Sequence, residues 1–251
     1  MAVVTDAAVF VGNVGDSRCI LVRRRGREGA ESAAGRRPAW TADEIEVVAM
    51  SEDHKPDLPE ERMRIESAGL TVQIDTVAPS EEGGVPLRIA KVRKSDREVL
   101  GVSRAFGDYD YKSNGELSRG RQAVVCTPEI EARERDGEDM YLVLACDGVW
   151  DVMSNDDAGS FVAAKAAELA GWTDEGVVEG SNIEDGLLAR VGDDLLRECL
   201  DRGSEDNMSV LIVALPGSGL VPVPSSGGVA TANAARGDKE GAARRIEFEE
   251  G

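Results

Sequence analysis

Tyr141-Leu142-Val143-Leu144-Ala145-Cys146-Asp147-Gly148-Val149-Trp150-Asp151 is an apolar run that ends on an acid, a glycine and, four residues later, a second acid. A strand that buries its apolar residues and delivers carboxylates at its mouth can hold a cation. The pattern returns at Gly203-Ser204-Glu205-Asp206-Asn207-Met208-Ser209, just before the apolar run Val210-Leu211-Ile212-Val213-Ala214-Leu215. Acids at two strand ends can share one ion. Hard divalent ions such as Mg²⁺ and Mn²⁺ prefer carboxylate and water oxygens, and a bound cation turns water into hydroxide at neutral pH. Metal-assisted hydrolysis is the chemistry this suggests. A single Asp after a strand is more often a turn residue or helix cap. Asp147, Asp151 and Asp206 nevertheless recur in the same kind of place.

Composition narrows the options. With 29 basic against 48 acidic side chains the formal charge is −19, which repels nucleic acid and anionic lipid. A phosphorylated substrate is repelled too, so a phosphate-handling site on this surface needs bound cations to reverse the local field. The 251 residues suffice for one domain with a sizeable core plus a tail. Cys19, Cys126, Cys146 and Cys199 lie far apart without CxxC spacing, mostly in apolar runs, as free thiols of a reducing compartment do. No run approaches the ~20 apolar residues that span a bilayer, and the N-terminus lacks the basic and apolar segments of a leader. These features predict a soluble intracellular protein, cytoplasmic or nuclear, that engages neither nucleic acid nor membrane.

Working outward, Ala2-Val3-Val4, Val9-Phe10-Val11 and Cys19-Ile20-Leu21-Val22 read as strands of an antiparallel meander, with turn formers at Gly12-Asn13-Val14-Gly15-Asp16-Ser17. Residues 23–42 read as a solvated insertion and 78–86 as a loop between strands near Val72–Ile74 and Leu87–Ile89. Pro59 through Gly69 has an early proline, acids in its first turn and a terminal glycine, which predicts a short helix burying Met63 and Ile65. Ser154 with Asp157 three residues on predicts a capped helix to about Ala170, its apolar face made by Phe161, Val162, Ala166 and Leu169. Leu187, Leu188, Val191, Leu195 and Leu196 predict a second helix over Ile183–Cys199, a plain core stripe. After Leu215 the composition turns to Gly, Pro, Ser, Ala and charge, so the domain is expected over 1–215 and a disordered tail over 216–251.

Five blocks in this order resemble the metal-dependent protein phosphatases known as PP2C or PPM. They are Val11–Arg18, then Glu52–Pro56 with Arg64–Gly69, then Leu100–Asp108, then Ala145–Val152, then Arg202–Ser209. The resemblance covers about residues 3–215 and implies an α+β fold, an α-β-β-α sandwich of two antiparallel sheets flanked by helices. It further implies two Mg²⁺ or Mn²⁺ ions, with a third, weaker site in some relatives, activating water against phosphoserine or phosphothreonine in phosphorylated protein substrates. By motif, Asp147 and Asp206 match first ligands of the binuclear centre, and Asp16 and Asp151 match acids of the weaker site. Each has a bland counterpart: Asp16 as a turn residue, Asp151 as a cap for the next helix. Arg104 and Asp108 are expected to make structural contacts, Asn207 to brace the backbone beside Asp206, Gly148 to accompany Asp147, and Trp150 to be core.

The upstream blocks of the family, an Arg that grips phosphate, a Glu-Asp pair and Asp-Gly-His-Gly, have no match in this chain. Its single histidine, His54, lies in Asp53-His54-Lys55-Pro56 and reads as structural. The sequence is therefore expected to be an N-terminally truncated domain with little phosphatase activity by itself. Two functions stand side by side: a serine/threonine phosphatase whose front part lies elsewhere, or a catalytically dead pseudophosphatase acting as an interaction or regulatory module.

Overall fold

Strand β9 (Asp139–Ala145) is buried at every position but Leu144, because it runs inside a four-stranded antiparallel sheet with a neighbour on each edge. The computed structural model describes residues 1–25, 44–77, 87–173, 176–177, 186–220 and 244–246. These form two units, one of Met1, Gly12–Ser17 and Glu52–Ile130, the other of Ala2–Val11, Arg18–Ser51 and Glu131–Gly251.

In the second unit, β1 (Ala2–Val4) and β2 (Ala8–Asn13) form an antiparallel hairpin, as expected. The third strand departs from the expected meander. β3 (Arg18–Arg24) leaves for the sheet of order β12-β9-β3-β4, where β4 is Ile45–Ala49 and β12 is Val210–Ala214. Cys19, Ile20, Leu21 and Val22 are all buried, and a strand apolar on both faces belongs in the middle of a covered sheet. Its side chains alternate accordingly. Ile20 and Val22 join Tyr141 and Val143 beneath the helices, whereas Cys19 and Leu21 join Leu142 against Val9 and Val11 of β2. Strand β2 lies in a sheet of order β1-β2-β8-β13, with β8 Glu129–Glu134 and β13 Arg244–Ile246.

One face of the β9 sheet is covered by α3 (Asn155–Leu169) and α4 (Leu187–Asp201). The capping box at Ser154 is present: its hydroxyl accepts from Asp157 N–H at 3.1 Å while the Asp157 carboxylate accepts from Ser154 N–H at 3.3 Å. Val162 and Ala166 are fully buried, and Phe161 and Leu169 pack at the margin. The second helix begins at Leu187, after Gly186 in a left-handed conformation (φ 93°), and Leu187, Val191, Leu195 and Cys199 supply its buried stripe. Residues 183–185 of the expected helix lie outside the described residues, as do 26–43 and 78–86. Order continues past Leu215. Pro216–Ser218 forms a buried turn whose Gly217 carbonyl accepts from Arg24 Nη2 at 2.5 Å. Of the expected tail, 221–243 and 247–251 are outside the description. A short ribbon pairs β10 (Trp172–Thr173) with β11 (Gly176–Val177).

The first unit joins α1 (Pro59–Ser67) to a three-stranded antiparallel sheet of β5 (Thr71–Val77), β6 (Leu87–Arg93) and β7 (Val99–Leu100), over a core of Ile65, Val92 and Val124. The helix buries Ile65 as expected but not Met63, which is 68% exposed. Glu61 takes the inward place instead, at 2% exposure, because residues four apart share a helix face and residues two apart do not. No helix among the described residues is long and apolar enough to cross a membrane.

Candidate metal centre

The two acid-bearing loops of the second unit are continuations of paired strands. β9 and β12 run in register to Ala145 opposite Val210, and the ladder extends one step further, with Cys146 N–H donating to Ser209 O at 3.3 Å. Beyond that point the chains are joined by side chains. Ser209 N–H donates to Cys146 Sγ at 3.2 Å, Cys146 Sγ donates to Asn207 O at 3.4 Å, and Ser204 Oγ donates to Gly148 O at 2.6 Å. Asp147 opens the single-turn helix α2 (Asp147–Trp150), and its Oδ1 accepts from Gly148 N–H at 3.0 Å. Asp206 Oδ1 likewise accepts from Asn207 N–H at 2.7 Å. Gly148 is the closest approach: a Cβ there would lie 2.7 Å from Asn207 O, 2.9 Å from Met208 Cγ and 3.3 Å from Asp206 Cβ. Only a residue without a side chain fits between the two acids.

Asp147 is half-buried and Asp206 exposed, so the pair sits at a surface open to water. Asp151 is exposed at the end of α2, its N–H donating to Asp147 O at 2.8 Å. It does not cap the following helix, which Ser154 does. Trp150 is core, 7% exposed, with Nε1 donating to Ala145 O at 2.8 Å and the Arg18 guanidinium 5.1 Å from a ring centroid.

The other predicted residues belong to the first unit. Asp16 accepts from Lys55 Nζ at 2.5 Å, an ion pair the sequence reading had not foreseen. Beside it, Gly15 N–H donates to His54 Nδ1 at 3.1 Å and His54 N–H donates to Gly15 O at 3.0 Å, so the histidine is a buried brace of the turn. Burial, then the positive charge of Arg104, lowers its pKa to about 4. Arg104 binds Glu61 through Nη2 at 2.7 Å and Nε at 3.1 Å, reaches Glu129 at 3.2 Å, and donates to Thr127 O at 3.1 Å. Asp108 is exposed with φ 49° and leads a 3-10 turn over Tyr109–Lys112, its carbonyl accepting from Tyr111 N–H at 3.0 Å. Sequence reasoning missed Glu61, the hub of this network. Burial alone would raise its pKa, but hydrogen bonds from Arg64, Arg104 and Ser103 prevail and hold it at about 2. Its spacing four before Ile65 was the available signal.

Among the described residues no group of three or more His, Cys, Asp and Glu side chains gathers closely enough to ligate one ion. What the second unit offers is a two-carboxylate edge. In the described structure each acid spends one oxygen on the following backbone N–H, and no protein hydrogen bond is made by the other. Such a donor set fits Mg²⁺ or Mn²⁺, which use one or two carboxylates and fill their remaining positions with water and phosphate.

A sequence model of the family described as Protein phosphatase 2C matches residues 1–208. The chain is 34% identical over 216 residues to Protein phosphatase ppm-1.A of Caenorhabditis elegans, covering 86% of this chain and 34% of that protein. It is 33% identical over 205 residues to human Protein phosphatase 1A, covering 81% and 39%. The chain thus spans well under half the length of these curated relatives. A solved phosphatase from a pathogenic strain of Toxoplasma gondii superposes with TM-score 0.53 at 28% identity, covering 82% of this chain and 47% of that one. With the family model matching most of its length and these relatives at 33–34% identity, the chain belongs to the protein phosphatase 2C family.

Proposed function

We propose that this chain is part of a protein serine/threonine phosphatase in which Asp147 and Asp206 hold Mg²⁺ or Mn²⁺ at the joined ends of β9 and β12. The abutment of the two loops at Gly148 carries the reading, because it packs the backbone next to Asp147 against Asp206 just beyond the paired ends of β9 and β12. A cation bound there would supply a Lewis acid for phosphate oxygens and an acidified water. The chain's own residues orient and neutralise. The N–H groups of Gly148 and Asn207 each hold one oxygen of Asp147 and Asp206, which restrains the two rotamers. On a chain of charge −19, phosphoserine or phosphothreonine in a protein substrate needs that positive centre to approach. Asp151, one helical turn after Asp147, is suited to a second or weaker site, and water and substrate oxygens complete each shell.

Calorimetric titration of the full chain with Mn²⁺ tests this. Asp147→Asn and Asp206→Asn should each weaken binding at least about tenfold, ~1.4 kcal/mol. Unchanged isotherms for both would overturn the assignment. A second reading, a catalytically silent interaction module, is favoured by the Lys55 ion pair, which engages the Asp16 carboxylate. Turnover of a phosphothreonine peptide in Mn²⁺ that is lost on Asp147→Asn would eliminate it.

A further inference from the structure

We propose that Ser204 and Cys146 are positioning residues that latch the Asp206 loop onto the Asp147 turn, setting the spacing of the two carboxylates without touching the cation. The inference rests on the reading of Asp147 and Asp206 as cation ligands. Asp206 sits in Gly203–Ser209, a mostly exposed stretch without helix or strand, where only Ser204 and Met208 are half-buried. Ordering such residues costs conformational entropy, so the loop needs anchors to hold one orientation. Three side-chain links supply them. Two residues before Asp206, the Ser204 hydroxyl reaches Gly148 O at 2.6 Å. One residue after it, the Asn207 carbonyl meets Cys146 Sγ at 3.4 Å, and three residues after it, Ser209 N–H meets the same sulfur at 3.2 Å.

All three links end on Cys146 or Gly148, the residues either side of Asp147, so Asp206 is bracketed from both directions against its partner acid. The thiol serves as donor and acceptor at once, a double use open to a hydroxyl and closed to a methyl. Sulfur is also the wrong donor for a hard ion, which separates its role from that of the carboxylates. The hydroxyl of Ser204 is committed to the Gly148 carbonyl. A preorganised pair of ligands binds more tightly than one that must be ordered on binding.

The test is Mn²⁺ titration of the full chain together with amide hydrogen exchange at Asn207 and Ser209 in the absence of metal. Cys146→Ala and Ser204→Ala should each weaken Mn²⁺ binding about three- to tenfold and speed exchange at those amides. Cys146→Ser, which keeps a donor and an acceptor, should restore both. Val162→Ala, which trims the core between α3 and the β9 sheet, should lower the melting temperature without moving either reading, which separates positioning from general loss of stability. Wild-type exchange at Asn207 and Ser209 in both alanine variants would overturn the latch. Faster exchange with unchanged Mn²⁺ affinity would overturn its positioning role provided Asp147→Asn weakens binding. Should Asp147→Asn leave binding unchanged, the ligand reading fails, and the exchange data still decide whether the links hold the loop.

Discussion

Glu61 and Met63 stand two positions apart on one helix and exchange the places that hydrophobicity assigns them. Burying a carboxylate costs several kcal/mol unless it is paired and hydrogen-bonded, and here Arg64, Arg104 and Ser103 all converge on it. Removing it would take from Arg64 its carboxylate partner, leaving Ser103 O, and from Arg104 two of its four bonds, leaving Glu129 and Thr127 O. Glu61→Ala is therefore expected to cost about 3–5 kcal/mol, whereas Met63→Ala, at a site 68% exposed, should stay within about 0.5 kcal/mol. Chemical denaturation of the pair of variants checks the contrast, and equal costs would contradict it. The acids of the candidate centre were legible because Asp147 comes directly after one apolar run and Asp206 shortly before another. Glu61 was not, because its partners Ser103 and Arg104 arrive from some forty residues away and leave no local trace. Asp16 was legible as an acid in a turn, but its pairing with Lys55 depends on the same kind of distant approach.

Helix α3 shows the same division at the scale of an element. Its limits were readable, since Ser154 and Asp157 cap the first turn by a rule confined to four residues. Ser154→Ala should lower stability by about 1 kcal/mol. The reason for its small residues was not readable, because it lies across the interface. Gly159 faces Val47 of β4, and a Cβ there would come within 2.5 Å of Val47 Cγ2. Alanine has the better intrinsic propensity in a helix by about 1 kcal/mol, while overpacking costs typically 1–3 kcal/mol. The clash should win, so Gly159→Ala is expected to destabilise the protein modestly. Combining it with Val47→Ala should recover part of that loss beyond additivity. Strictly additive effects in thermal melts would mean that the helix shifts rather than clashes. The strand β3 is a further case: its apolar run was evident, but membership of the inner sheet, and not of the β1–β2 hairpin, follows from pairing with β9 over a hundred residues later.

For the molecule as a whole, the two units respond to acid through different groups: only the first holds a histidine that titrates above pH 4, while Asp136 and Asp157 of the second, both lowered, lose their contributions only below the ordinary carboxylate range. In the first unit, His54 has a folded pKa of about 4 against an ordinary 6.5, so the unfolded chain binds a proton that the fold refuses. Its stabilising contribution is complete above pH 6.5 and is lost as pH falls towards 4. Glu61, held at about 2 against 4.5, adds a second loss from pH 4.5 downward. Each shift represents on the order of 3 kcal/mol at full extent. In the second unit the buried Asp139 is raised, by burial first, with the Asp136 charge adding to it and the Asp136 N–H and Arg23 opposing it, so its contribution is present at low pH and lost as pH rises through its folded value. Acidification from pH 7 to 4 should therefore loosen the first unit ahead of the second. Hydrogen exchange checks this at the Ser103 and His54 amides, bonded to His54 O and Gly15 O, against those of Leu142 and Val143 in β9. Ionic strength must be fixed, because a net charge of −19 makes self-repulsion salt-dependent. His54→Asn, whose amide oxygen stands where Nδ1 does and can accept from Gly15 N–H but cannot titrate, should flatten the response between pH 6.5 and 4 and leave the Glu61 step below it. Uniform acceleration at all four amides, unchanged by His54→Asn, would place the acid sensitivity in the surface charge and not in this buried network.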